Sequence, residues 1–146
     1  MADRMTEDKA RECYAGGIDC SQVVFGYGAD MLGFDKETAL KIAACFGGGM
    51  FRGETCGCVT GALMALGLRY GHTQPGDEET KAELMEVLKE FTAAFEEENG
   101  SLICKELIKY DVSDPKQREE AFASGVMMAL CPKLAVSACE ILDDLI

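Results

Sequence analysis

The sequence is poor in tryptophan, proline and histidine, and histidine is the residue that most often serves in haem-binding and hydrolytic sites. It contains no tryptophan, three prolines and a single histidine, His72, in the loop-like segment "HTQPGDEE". It has no Cys-x-x-Cys-His sequence, so the usual pattern for covalently attached c-type haem is excluded. Haem ligation or a Ser-His-Asp mechanism would depend on His72 alone, and an exposed loop histidine explains this residue more simply.

Basic residues are also scarce. The chain has 14 lysines and arginines against 26 aspartates and glutamates, which gives a formal net charge of −12. A surface with this charge repels the phosphates of DNA and RNA, and it disfavours docking on anionic membranes. The sequence therefore predicts that the protein does not bind nucleic acid.

Long apolar runs are missing as well. The longest nearly uncharged run, residues 56–68, is too short to span a bilayer. The N-terminal segment "MADRMTEDKARE" is charged and has no apolar core of the kind found in signal peptides. We therefore expect a cytoplasmic protein with no membrane span.

Cysteine, by contrast, is abundant, with eight residues in a chain of 146. In a reducing compartment cysteines serve more often as metal ligands or redox groups than as structural bridges. The close Cys-x-x-Cys pairs of common zinc sites are absent. A site built from these cysteines would therefore have to be assembled by tertiary packing.

The hydrophobic pattern is helical almost throughout, with no convincing strand alternation and no internal repeat. It predicts an all-α fold, a compact single-domain helical bundle covering residues 1–146. The fourth helix is apolar all round, which is typical of a buried central helix. The predicted helices cover residues 6–15, 21–32, 36–46, 54–70, 77–98, 102–110, 115–130 and 131–146.

The cysteines divide into two groups on this map. Four of them lie at or within the first turn of a predicted helix, where free N–H groups and a partial positive charge favour thiolate over thiol. These four are candidate metal or cofactor ligands: Cys20, Cys56, Cys104 and Cys131. Three others, Cys13, Cys45 and Cys139, lie among apolar residues and are predicted to be core residues. Cys58, two residues beyond Cys56, fits either group.

The ordered set of four cysteines resembles the family of redox-active proteins named for a C-GCAxxG-C-C pattern. The central motif reads "CGCVTG" from Cys56 to Gly61, the upstream cysteine stands in "DCSQVV", and the downstream ones stand in "SLICKELI" and "ALCPKL". The resemblance covers nearly the whole chain and implies a redox-active protein of similar size. A related domain occurs in a multihaem cytochrome, where a cysteine-bound iron–sulfur centre has been suggested. Cys58 departs from the family, which usually has alanine there.

The glycine run in "FGGGMFRGE" precedes the central motif. A loop without side chains lets backbone N–H groups approach a sulfur atom closely, so Gly48 and Gly49 are candidate contacts of the site. Arg52 is expected at its rim, where it could pair with a thiolate or an anion, and Cys58 is an additional candidate ligand. A plain helix stop followed by a tight turn is the alternative interpretation of the run.

Three kinds of chemistry remain open. The favoured one is a redox or electron-transfer protein with an iron–sulfur cluster on the four cysteines. The second is a metal-free thiol–disulfide protein or enzyme that uses Cys20 and Cys56, and the third is an interaction module stabilised by zinc. The partner in the redox interpretations is an unidentified redox protein. The small residues of the fourth helix also suggest a homodimer.

Overall fold

A computed structural model describes residues 3–146 of the chain. Within them it contains helices and turns and no β-strand, so the predicted all-α class is confirmed. One isolated antiparallel bridge pairs Thr55 with Ile103. The helices are α1 (Glu7–Ala15), α2 (Cys20–Leu32), α3 (Lys36–Ile42), α4 (Gly57–Tyr70), α5 (Glu78–Asn99), α6 (Cys104–Ile108), α7 (Pro115–Ser124) and α8 (Val126–Leu145), with a π-type turn at Gly49–Gly53 between α3 and α4.

Most helices begin where a polar side chain can cap them. The Thr6 hydroxyl caps α1, and the carboxylates of Asp35, Asp77 and Asp114 accept hydrogen bonds from the first turns of α3, α5 and α7. Asp19 forms a capping box with Gln22 at the start of α2. These caps fix the direction in which each helix leaves its loop.

The last two helices differ from the prediction. The helix expected over residues 115–130 ends at Ser124, because Gly125 adopts a left-handed conformation with φ 77°. The next helix then begins at Val126 and runs through Pro132, so the prediction that Cys131 and Pro132 open the last helix is wrong. α3 is also shorter than expected and ends at Ile42.

The core is built around α2, α4 and α8, and close packing of backbones joins the first two. A Cβ atom added to Gly28 would lie 2.5 Å from the Cβ of Ala65, and one added to Gly61 would lie 2.5 Å from the Ser21 carbonyl oxygen. Both glycines therefore let α2 and α4 approach more closely than side chains would allow. The small residues proposed as a dimer contact thus pack inside the chain, and the homodimer stays a prediction without that support.

The expectation of a buried fourth helix holds for most of its length. Val59 and Leu66 are each 1% exposed, but Leu68 is 41% exposed because the last turn of α4 reaches the surface. α5 also packs against α4 and contributes Phe91 and Phe95, whose rings stack with centroids 6.0 Å apart. α4 is therefore central over its first three turns only.

Within residues 3–146 no single helix is long and apolar enough to cross a membrane. α7 and α8 reach that length and composition only when they are taken together, and the two are bent by 83° relative to each other.

Candidate redox site

A largely apolar cavity of about 390 Å³ lies where α2, α4, α6 and α8 meet. Its wall brings together all four candidate ligands and the additional one, although they are far apart in the sequence. They are Cys20, Cys56, Cys58, Cys104 and Cys131. The remaining wall is mostly aliphatic, aromatic and methionine side chains, with Asp19 and Arg118 as its only charged members in the described residues.

Cys20 reaches this cavity because α4 begins with a glycine. A Cβ atom on Gly57 would collide with the Cys20 sulfur and would also lie 3.0 Å from the Ser21 nitrogen. The hydroxyl of Ser21 donates to the Ala43 carbonyl oxygen at 2.8 Å, which fixes the first turn of α2 from its other side. The central motif therefore has glycine directly after Cys56 because a larger residue at position 57 would collide with Cys20.

Cys56 and Cys104 are brought together by the short bridge between Thr55 and Ile103. The Cys56 N–H donates to the Leu102 carbonyl oxygen at 2.7 Å, and the Cys104 N–H donates to the Glu54 carbonyl oxygen at 2.6 Å. This pair of hydrogen bonds holds the segment before α4 against the segment before α6. The two cysteines follow directly after it, Cys56 as the N-cap of α4 and Cys104 as the first residue of α6.

Cys131 is held in the cavity wall by a different element, α8. It lies in the second turn of α8, not at a helix start, so its thiol lacks the N-terminal environment expected for it. Its carbonyl oxygen lies 3.4 Å from the hydroxyl of Tyr14, whose side chain also lines the cavity. Tyr14 was not singled out from the sequence.

The glycine run forms one edge of the cavity through Gly48. Residues 48–51 all have positive φ, including Met50 at 60° and Phe51 at 57°, which is unusual for residues with side chains. Gly49 does not line the cavity, but a Cβ there would collide with the backbone of Glu54. The run is therefore a tight left-handed turn, and its edge toward the cavity is backbone.

Comparison with known proteins agrees with the cysteine order. The family model C_GCAxxG_C_C, described as "Putative redox-active protein", matches residues 18–145. The chain belongs to this family. No curated protein and no solved structure gave a significant match.

In this C_GCAxxG_C_C protein the cavity thiols have very different acidities. The pKa of Cys20 falls to about 7, mainly because the Cys58 thiol can donate a hydrogen bond to the Cys20 sulfur. Hydrogen bonds from the backbone N–H groups of Gly48 and Ser21 lower it in the same direction. Hydrogen bonding to Cys20 and Cys56, together with burial, raises the pKa of Cys58 well above its usual range. Within this hydrogen-bonded pair Cys20 therefore ionises more readily than Cys58.

Two further thiols of the family set have raised pKa values. Burial, followed by the nearby Cys56, raises the pKa of Cys104 to about 12. Burial and the nearby Cys20 raise the pKa of Cys131 even further. In the absence of a compensating positive charge these neighbours disfavour additional negative charge in the cavity.

Several residues lie elsewhere than the sequence suggested. Arg52 is exposed, pairs with Glu54 at 3.3 Å and does not line the cavity, so its expected place at the rim stays a prediction without support. Arg118 is the cation that lines the cavity. Cys45 is exposed and not a core residue, because α3 ends before it. Cys139 is buried as expected, Cys13 is half-buried, and neither lines the cavity.

All eight cysteines are free thiols in the described part of the chain. Within residues 3–146, no group of three or more histidine, cysteine, aspartate or glutamate side chains is arranged so that it could hold a single metal ion. The cavity thiols of the described residues are thus not arranged closely enough around one point to form a mononuclear zinc site.

Proposed function

We propose that this protein is a redox protein in which Cys20, Cys56, Cys104 and Cys131 hold an iron–sulfur cluster. The observation that carries the proposal is that the four cysteines of the family pattern, contributed by four separate segments, line one cavity. Such clusters are held by four cysteine thiolates. Bound there, a cluster would supply one-electron transfer.

The surroundings of the thiols support this assignment. Four thiolates in an apolar space repel one another, and bound iron would supply the positive charge that offsets this repulsion. The apolar wall limits access of water to the centre. The N–H groups of Gly48 and Ser21 interact with the Cys20 sulfur, and hydrogen bonds of this kind help to set the potential of a cluster.

The test is anaerobic purification followed by iron and sulfide analysis and a visible spectrum. We expect iron and acid-labile sulfide with a brown colour in the wild type. Cys104→Ala should lose them, whereas Cys45→Ala and Cys139→Ala should keep them, because neither residue lines the cavity. Wild-type protein that contains no iron after reconstitution with iron and sulfide would refute the cluster.

A second candidate function is thiol–disulfide exchange, and the contact between Cys20 and Cys58 favours it. A thiolate with a pKa near 7 is a good nucleophile at neutral pH, and an adjacent thiol can resolve a mixed disulfide. Two thiols would lose two electrons and two protons to form the disulfide, with oxidised glutathione as the acceptor in an assay.

Peptide mapping by mass spectrometry separates the two candidates. Colourless protein with a reversible disulfide between Cys20 and Cys58, or between Cys20 and Cys56, would support exchange chemistry. Iron-containing protein that forms this bond only after losing its iron would support the cluster. In either case we propose a cytoplasmic protein that exchanges electrons with a partner protein.

A further inference from the structure

Tyr14 places the only hydroxyl side chain in the cavity wall that the structure describes. It lies in the last turn of α1, and α1 packs against α8, which carries Cys131. The hydroxyl lies 3.4 Å from the Cys131 carbonyl oxygen and also faces the Cys58 side chain. One phenol therefore stands between two of the cavity cysteines.

The hydroxyl of Tyr14 has only a weak oxygen acceptor. A distance of 3.4 Å is long for an O–H···O hydrogen bond, which usually spans about 2.7–2.8 Å. A hydroxyl can rotate its hydrogen toward a better acceptor. A sulfur atom that becomes negatively charged would be such an acceptor.

The hydroxyls of Tyr27 and Tyr70 differ in this respect. The Tyr27 hydroxyl donates to the Asp143 carboxylate at 2.6 Å, and the Tyr70 hydroxyl donates to the Leu145 carbonyl oxygen. Both bonds tie α8 to another helix and lie outside the cavity. Tyr14, by contrast, lines the cavity, has a weak oxygen acceptor and has redox-capable neighbours.

We infer that the Tyr14 hydroxyl stabilises the reduced form of the cysteine centre by donating a hydrogen bond to a cavity sulfur. The inference rests on the proposed redox function and holds for a cluster or for a thiol couple. Reduction of a cluster adds negative charge that its sulfurs share, and reduction of a disulfide releases sulfurs that can carry negative charge as thiolate. A hydrogen bond to a charged acceptor is stronger than one to a neutral acceptor. Tyr14 thereby makes the centre easier to reduce.

The experiment compares Tyr14→Phe with wild type, and Tyr27→Phe is the matched control because it removes a hydrogen-bonded hydroxyl outside the cavity. Protein is equilibrated anaerobically across a series of ratios of reduced to oxidised dithiothreitol. In iron-free protein, alkylation and mass spectrometry give the fraction of disulfide, whose reduction takes two electrons and two protons, or one proton where one sulfur is released as thiolate. In iron-containing protein, the visible spectrum in a mediator titration with dithionite gives the reduced fraction.

We expect the equilibrium constant for reduction to fall about tenfold in Tyr14→Phe, which is about 30 mV toward lower potential for a two-electron couple. Tyr27→Phe should leave the midpoint unchanged even if it lowers the unfolding temperature. A Tyr14→Phe midpoint equal to that of wild type would overturn the role of Tyr14 and leave the redox function standing. Wild-type protein with no reversible midpoint would overturn both.

Discussion

Replacing Gly57 with alanine tests whether the start of α4 is shaped around Cys20. The new Cβ would collide with the Cys20 sulfur, lie 3.0 Å from the Ser21 nitrogen and lie 3.2 Å from the Gly47 Cα atom. Two of these three neighbours are backbone atoms, so the first turn of α4 would have to move away from α2. Overpacking of this kind costs about 1–3 kcal/mol.

Helix propensity works in the opposite direction at this position. Alanine is favoured over glycine within a helix by about 1 kcal/mol, and the φ of Gly57 lies outside the left-handed region, so alanine brings no backbone strain. The matched control is Gly67→Ala in the same helix, because a Cβ there meets no atom within 4 Å. We expect Gly67→Ala to raise the free energy of unfolding by up to about 1 kcal/mol.

Urea denaturation followed by circular dichroism measures both variants. We expect Gly57→Ala to lose up to about 2 kcal/mol once the gain in propensity is subtracted, and alkylation of Cys20 should become faster as the cavity loosens. If Gly57→Ala were as stable as Gly67→Ala, the contact between Gly57 and Cys20 would not be a determinant of the fold. The steric account of the central motif would then be wrong.

Three further predictions concern single residues. In Cys58→Ala the pKa of Cys20 should rise from about 7 toward the usual cysteine value, because its main hydrogen-bond donor is lost. The pH at which iodoacetamide alkylates Cys20 at half its maximal rate should rise with it, and an unchanged pH would contradict the assignment. Lys109 is exposed and has a left-handed φ of 68° at the end of α6, a conformation that glycine adopts more easily. Lys109→Gly should therefore stabilise the protein by about 0.5–1 kcal/mol in the same urea assay, and a loss of stability would show that the lysine side chain is needed. Cys45 should be the first thiol alkylated at pH 8 because it is exposed, and Cys45→Ser should remove this fast phase without changing the slower ones.

Local sequence signals predicted the helices well, because hydrophobic periodicity and capping residues act within a few positions of the chain. They also placed Cys20, Cys56 and Cys104 at helix starts, where the structure has them. They failed for Cys131, because the proline after it indicated a new helix. Gly125 had in fact already ended α7, and α8 accommodates Pro132.

The parts of the site that depend on tertiary packing were not accessible in this way. Tyr14 and Arg118 line the cavity because α1 and α7 both pack against α8, and no local pattern marks these two residues. Arg52 stands close to the motif in sequence, yet its side chain pairs with Glu54 at the surface. Proximity in sequence was therefore a poor guide to the charge at the cavity.

The residues that line the cavity are spread along the sequence from Tyr14 to Leu134, and this has a consequence for synthesis of the protein. A ribosome releases the chain from its N-terminus, so the first cysteines emerge long before α8 is available to close the site. During that interval their thiols are open to oxidants and stray metal ions. A cofactor held by all four cysteines must be inserted after α8 has been synthesised, and a product truncated before α8 would expose the four remaining cavity cysteines without a wall to shield them.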